Sequence, residues 1–353
     1  MNTRRRLLSW SGALTALVLL GTLGCRHLES QAQPPLQRFA YAELHMASIF
    51  RVVLYAPDQK TADHAAEAVY HRIDVLENIM TDYDPKSELM QLCRQPVGVP
   101  QKTSDDLFAI LKKSQEISKE SSGAFDITVG PFIALWRQAR KTKVLPTPEI
   151  IAATKQAVGY QKLKIDDKNH TVTLTVPGMK LDLGGIAKGL AAEEALKVLR
   201  RLGIPRAMVA ASGDIALGDP PPGKNGWEIG IASIDHPLQG LTEEVNLANV
   251  GISTSGDTEQ YVEIGGRRYS HIVDPGTGLG LTERIGVTII ARTGTQSDAL
   301  ATAACVLGAR KGLACVEKHP GAAALVVEIT PTGTQVTPST RFKKYSGTAS
   351  KSR

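Results

Sequence analysis

Two short stretches hold residues whose types and spacing suit work on a phosphorylated ligand. Asp182-Leu-Gly-Gly-Ile-Ala-Lys-Gly189 opens a helix with two glycines, a carboxylate before them and a lysine after them. Small residues let a backbone come close to a phosphate or a metal, and a helix N-terminus offers N–H groups to an anion. Lys188, one turn in, can reach a phosphate. Ser297-Asp-Ala-Leu-Ala-Thr302 puts Asp298 and Thr302 four residues apart, on one face of a helix. Such oxygen donors suit a hard cation like Mg²⁺. Neither stretch is a Walker or a Gly-x-Gly-x-x-Gly pattern. A plain strand-to-helix turn with a solvent-facing lysine is the competing reading of the first.

His271-Ile-Val-Asp-Pro-Gly-Thr-Gly278 sets an imidazole at a strand end beside a glycine loop. Histidine is the side chain best suited to take a proton near neutral pH; a structural turn histidine is the alternative. Gly123-Ala-Phe-Asp-Ile-Thr128 leaves an aromatic beside bare backbone, which suits a planar ring or a core turn equally. Met46-Ala-Ser-Ile-Phe50 is uninformative alone.

These segments need elements to position them. A strand over 40–55, interrupted at 46–48, precedes a helix over 61–80 with Val69, Ile73, Leu76 and Met80 inward. A second helix starts at a Ser104 cap with Leu107, Ile110, Leu111 and Ile117 inward. A short helix holds Trp136. Strands over 164–166 and 171–176 form a hairpin, and the helix after Asp182 buries Leu190, Ala191, Ala195, Val198 and Leu202. Strands then dominate: 207–211, 227–232, 245–252, 261–264, 268–272 and 285–291, with Gly265-Gly266 as a hairpin turn. Two short helices, 297–307 and 309–318, precede a hairpin over 323–336. The pattern is α+β: a largely antiparallel sheet core flanked by helices.

Taken in order, these motifs, with Tyr83-Asp-x-x-Ser-Glu-Leu89, Ala211-Ser-Gly-Asp-Ile215 and Ser253-Thr-Ser-Gly-Asp257, resemble the FAD:protein FMN transferase (ApbE) family over about 39–337. The resemblance implies an ApbE-like fold and a Mg²⁺-dependent enzyme. It would cleave FAD, attach FMN through a phosphoester to a threonine of an acceptor protein and release AMP. It implies acceptors among membrane redox subunits of Na⁺-translocating NADH:quinone reductase and Rnf type. By position, Asp298, Thr302 and the Gly185 carbonyl match metal ligands. Met46, Tyr83, Ala124, Phe125, Asp126, Asp182, Lys188 and Ile272 match FAD contacts. His271 matches the suspected base; Asp298 is the other residue able to activate the threonine. Two departures stand out. Met-Ala-Ser replaces Met-Gly-Thr, and Gly276 sits where Arg is common, so Lys188 or Arg284 is expected to supply that charge.

The chemistry is consistent with this. Attack on a diphosphate needs charge neutralised on the oxygens in flight and the nucleophile in line. A threonine hydroxyl is a poor nucleophile at neutral pH and gains from a nearby base. The competing class is a binding module, an FAD-storing lipoprotein, or an FAD pyrophosphatase that passes FMN to water.

The 353 residues allow one large or two modest domains, and 42% hydrophobic with 22% charged content is ordinary for a globular chain. The net charge of +6 is mild and partly terminal, without a basic stripe, so no nucleic-acid partner is expected. Arg4 to Arg6 followed by an apolar stretch to Leu23 form a targeting signal, with a faint twin-arginine character. It ends in Gly-Cys25 like a lipoprotein signal, although Thr22 stands where Leu is usual; an ordinary secretory signal or an uncleaved anchor are the alternatives. The expected layout is signal 1–25, tether 26–38, transferase domain 39–340 and polar tail 341–353. The expected place is the periplasmic side of a bacterial inner membrane, held by lipid on Cys25. The remaining cysteines, Cys93, Cys305 and Cys315, are odd in number and imply no disulfide framework.

Overall fold

The computed structural model describes residues 35–232, 241–256 and 260–345. The signal, Cys25, most of the tether, Asp257 and the tail beyond 345 lie outside them. In chain order the elements are β1 (Gln37–His45), β2 (Ser48–Ala56), α1 (Gln59–Met80), α2 (Glu88–Leu92), β3 (Gln101–Lys102), α3 (Asp105–Glu120), α4 (Gly130–Thr142) and α5 (Pro148–Lys155). Then come β4 (Leu163–Asp166), β5 (Thr171–Leu174), α6 (Ala187–Arg201), β6 (Ala207–Ala211), β7 (Asp214–Leu217), β8 (Trp227–Ala232) and β9 (Leu241–Leu247). The last are β10 (Gly251–Gly256), β11 (Tyr261–Ile264), β12 (Arg267–Ser270), β13 (Arg284–Ala291), α7 (Gly294–Glu317), β14 (Ala323–Thr330) and β15 (Gly333–Pro338).

An eight-stranded sheet, ordered β1-β2-β6-β7-β10-β13-β14-β15, is antiparallel throughout. The α+β reading therefore holds. Successive side chains of a strand face opposite ways, and both faces of this sheet are covered. Val52 and Leu54 join the core beneath helices α1, α6 and α7, while Val53 joins a second core under the β8–β9 hairpin and Phe342. In β13, Ile289 and Ile290 divide in the same way. A third cluster joins α4 (Phe132, Trp136, Ala139) to the β11–β12 hairpin (Val262, Tyr269). Ser104 caps α3 as expected, accepting from the Leu107 N–H at 3.2 Å.

Several boundaries differ from expectation. The interrupted strand over 40–55 is a hairpin, because Met46 and Ala47 both take positive φ (49° and 54°) and turn the chain back. β1 begins at Gln37, inside the expected tether. The run over 245–252 is two strands, broken where Asn249 takes φ 55°. Leu202, expected inward, is exposed just past the end of α6. The expected tail starts too early: Phe342 is fully buried and the Arg341 guanidinium donates to the Val316, Glu317 and His319 carbonyls. The two expected helices after 297 are the halves of α7, divided where Gly308 departs from helical geometry. α7 is apolar and long enough to span a membrane, yet it packs against β10, β13 and α6 as a core helix.

The crossing of α6 over α7 is unusually close. A Cβ on Gly189 would lie 2.2 Å from the Gly294 carbonyl oxygen and 2.6 Å from the Asp298 Cβ, and one on Gly294 would lie 2.4 Å from the Gly189 carbonyl oxygen. The obstacles are backbone, so no rotamer change relieves them. Gly189→Ala is expected to cost about 3 kcal/mol through overpacking, read as a lower urea midpoint. An unchanged midpoint would show that the helices separate freely.

Candidate active site

The crossing of α6 and α7 sets the floor of the site. Asp298, in the second turn of α7, is buried and its Oδ2 accepts the Gly189 N–H at 2.9 Å. The acceptor at this amide of the α6 N-terminus is thus a carboxyl oxygen of the chain itself, so the Gly189 N–H is not free for a ligand, as the sequence reading had it. Thr302, one turn further, sits against the glycine pair: a Cβ on Gly185 would lie 2.9 Å from Thr302 Oγ1. Lys188 Nζ forms an ion pair with Asp214, a buried residue at the start of β7. Burial, then the nearby Asp214 carboxylate, pushes the Asp298 carboxyl well above the ordinary carboxylate range; Lys188 and the Gly189 N–H oppose this. An acidic group kept dry beside a second carboxylate suits a bound cation.

The Gly123 segment forms an adjoining wall. Ser122 and Gly123 both take positive φ (56° and 84°) after α3. Phe125 is then buried, its ring close beside Gly185. Asp126 is a hub: Oδ1 accepts the Thr128 N–H and hydroxyl at 2.8 and 2.7 Å, and Oδ2 accepts the Tyr160 N–H at 2.8 Å. Burial raises its carboxyl above the usual range against those donors. Its oxygens serve the loop itself, so Asp126 shapes this wall rather than standing ready as an anion.

Across the cavity, Met46 lies in the β1–β2 turn, its N–H donating to Glu77 Oε2 at 2.8 Å. Tyr83 follows α1 and stays largely exposed. Asp182 accepts from the Gly184 N–H at 2.8 Å, and its carboxyl is raised by burial and by Asp82. His271 Nδ1 lies 3.1 Å from the Gln260 carbonyl oxygen. A carbonyl only accepts, so Nδ1 carries the hydrogen in this contact. The loop after it is pinned to α4 by the Trp136 Nε1–H to Gly278 carbonyl bond of 2.9 Å. Gly278 has φ 71°, and a Cβ there would meet the Phe132 ring at 2.7 Å.

Met46, Tyr83, Ala124, Phe125, Asp126, Asp182, Gly185, Lys188, His271, Ile272, Asp298 and Thr302 all line one cavity of ≈ 800 Å³. These are all the residues expected to catalyse or to contact FAD or the metal; Cys25 lies outside the described residues. Arg284 is not in the lining, whereas Arg137 and Arg140 are, so the expectation that Arg284 replaces the charge absent at Gly276 fails. Asp214 was also missed as a site residue. Its signal was the Ser-Gly-Asp turn of Ala211-Ser-Gly-Asp-Ile215, which ends one strand and starts another. Arg137 carried no such signal, since it reads as an ordinary polar position of an amphipathic helix.

By fold the chain is an ApbE-type α+β protein. It superposes on the ApbE protein of Thermotoga maritima with a TM-score of 0.79 at 28% identity, covering 88% of this chain and 99% of that one. The apo flavinyl transferase ApbE of Pseudomonas stutzeri gives the same TM-score of 0.79 at 29% identity, over 90% of this chain and 99% of that one. Among relatives, the FAD:protein FMN transferase of Haemophilus influenzae is 32% identical over 277 residues, 76% of this chain and 80% of that protein. The model of the ApbE family matches residues 46–326, and the chain belongs to that family.

Proposed function

We propose that this chain is an FAD:protein FMN transferase that moves FMN from FAD to a threonine hydroxyl of an acceptor protein and releases AMP. The observation that carries the reading is the convergence of all the described candidate residues, drawn from segments far apart in sequence, on one cavity. Relatives that bear this activity by name, matched over most of their length, support it.

The transfer breaks the P–O bond between the FMN phosphorus and the bridging oxygen, which leaves with AMP. A new P–O bond forms from the threonine Oγ, whose proton goes to a base. Asp298, Thr302 and the Gly185 carbonyl would hold Mg²⁺, and the all-oxygen donor set with a dry, charge-stressed Asp298 fits that ion. Bound there, the ion neutralises charge on the diphosphate oxygens. His271 is the base: its Nδ1–H is held by Gln260, which orients Nε2 as acceptor. Lys188, tethered by Asp214, keeps a positive charge on the cavity wall. Acceptors are threonines of membrane redox subunits of the NADH:quinone reductase or Rnf type. The protein works at the periplasmic face of the inner membrane through lipid on Cys25.

Incubation with FAD, Mg²⁺ and a candidate acceptor subunit should add the mass of FMN to the acceptor and release AMP. Release of FMN and AMP with no mass gain on any acceptor would favour the pyrophosphatase reading; intact FAD would sink both. Asp298→Ala should abolish the Mg²⁺-dependent turnover with the fold retained, and undiminished AMP release would remove Asp298 from the metal site. His271→Ala should lower single-turnover transfer by about 10²–10⁴-fold while FAD affinity changes little. A large loss of affinity with a normal rate would make it a binding residue. Cys25→Ser should move the protein from the membrane to the soluble fraction; a variant that still pellets would mean an uncleaved anchor.

A further inference from the structure

Tyr83 is 75% exposed and belongs to none of the three hydrophobic clusters, yet it forms part of the cavity wall. A ring so placed needs something other than core packing to hold it. The Arg137 guanidinium lies over the ring, 4.3 Å from its centroid. Arg137 is itself fixed: Nη1 lies 2.5 Å from Asp82 Oδ2, and Nη2 lies 3.6 Å from Asp182 Oδ2. It projects from α4, which is anchored by the buried Phe132, Trp136 and Ala139. The ring is therefore tied to a rigid helix as well as to its own loop. With one face of the phenol covered by the guanidinium, the exposure belongs to the rest of the ring, including its other face.

We propose that Arg137 is a positioning residue that holds Tyr83 as a stacking wall for a planar aromatic ligand, the isoalloxazine ring of a flavin. This rests on the flavin-handling reading above. Two features favour a ring over a phosphate at this place. The Arg137 charge is already shared by Asp82 and Asp182, so an added anion would face two carboxylates. The guanidinium also lies over the ring while its two Nη atoms face separate carboxylates, a combination that a single Lys ammonium cannot reproduce.

Riboflavin separates the ring from the phosphates and from the metal. It is titrated into the full-length protein in detergent without Mg²⁺, and the quenching of flavin fluorescence that accompanies ring stacking is followed. The wild type should quench. Arg137→Ala and Arg137→Lys should each bind roughly tenfold more weakly, a loss in the range of one cation–π contact, with quenching reduced. Because Arg137 acts through Tyr83, the pair Arg137→Ala with Tyr83→Ala should be no weaker than Tyr83→Ala alone. Additive losses, or wild-type binding by Arg137→Ala, would overturn the proposal. Should Arg137→Ala fail to fold, as judged by its thermal transition, Arg137→Gln serves the same comparison. A wild type that binds FAD but not riboflavin would refute the stacking wall alone, whereas one that binds neither would refute the flavin reading beneath it.

Discussion

The approach of Gly189 to Gly294 is the constraint on which the site depends. Two helices that touch backbone to backbone leave no room for side chains between them, and what fills their edge is Asp298. Its carboxylate accepts an amide at the start of α6, where the helix dipole favours negative charge. The same crossing sets Thr302 against Gly185. Had either helix carried a Cβ at the crossing, the separation would grow and these oxygens would no longer share one pocket. The floor is therefore positioned by main-chain geometry, which is stiffer than any loop.

The walls are hung differently. Each comes from an element anchored in a separate core: the β1–β2 turn and Phe125 from the helix side of the sheet, Ile229 and Ile231 from the opposite face, and Tyr269 and Val273 from the small cluster around Trp136. Burial holds these anchors, at about 25 cal/mol for each Å² of apolar surface removed from water, while the loops between them carry the polar groups. A rigid floor with walls borrowed from three cores suits a long two-part ligand. Its reacting centre must be fixed closely, while its ends need only be guided.

Much of the fold was legible because its signals are periodic. Val69, Ile73, Leu76 and Met80 recur at helical spacing and are buried as that spacing requires. The Ser104 cap and the Gly265-Gly266 turn are local chemistry read directly. The turn at Met46-Ala47 was not legible, since neither residue is a usual left-handed one; tertiary contacts, with the Glu77 carboxylate on the Met46 amide, override local preference there. Helix α5 has no fully buried residue, so it left no apolar stripe to read. The site residues were legible as motifs, but their partners were not. Asp214 beside Lys188 and Arg137 beside Tyr83 are meetings made by topology across long stretches of chain, whereas Gln260 meets His271 at the open end of the β11–β12 hairpin.

The charge inventory of the cavity bears on what can enter it. Asp298 and Asp214 are buried at the floor, and Asp82 and Asp182 lie along one wall. Against them stand Lys188, already paired with Asp214, and Arg137, already shared by Asp82 and Asp182. Arg140 adds a further cation to the lining. A diphosphate brought next to Asp298 would thus disfavour its ionised form still further in a dry setting, where repulsion is weakly screened. On the proposed reading, affinity for the diphosphate must depend on a divalent cation at Asp298 and Thr302, while affinity for the flavin ring need not. The two halves of the ligand are recognised by different physics: an electrostatic floor that works only with its counter-charge, and an aromatic wall that works without it.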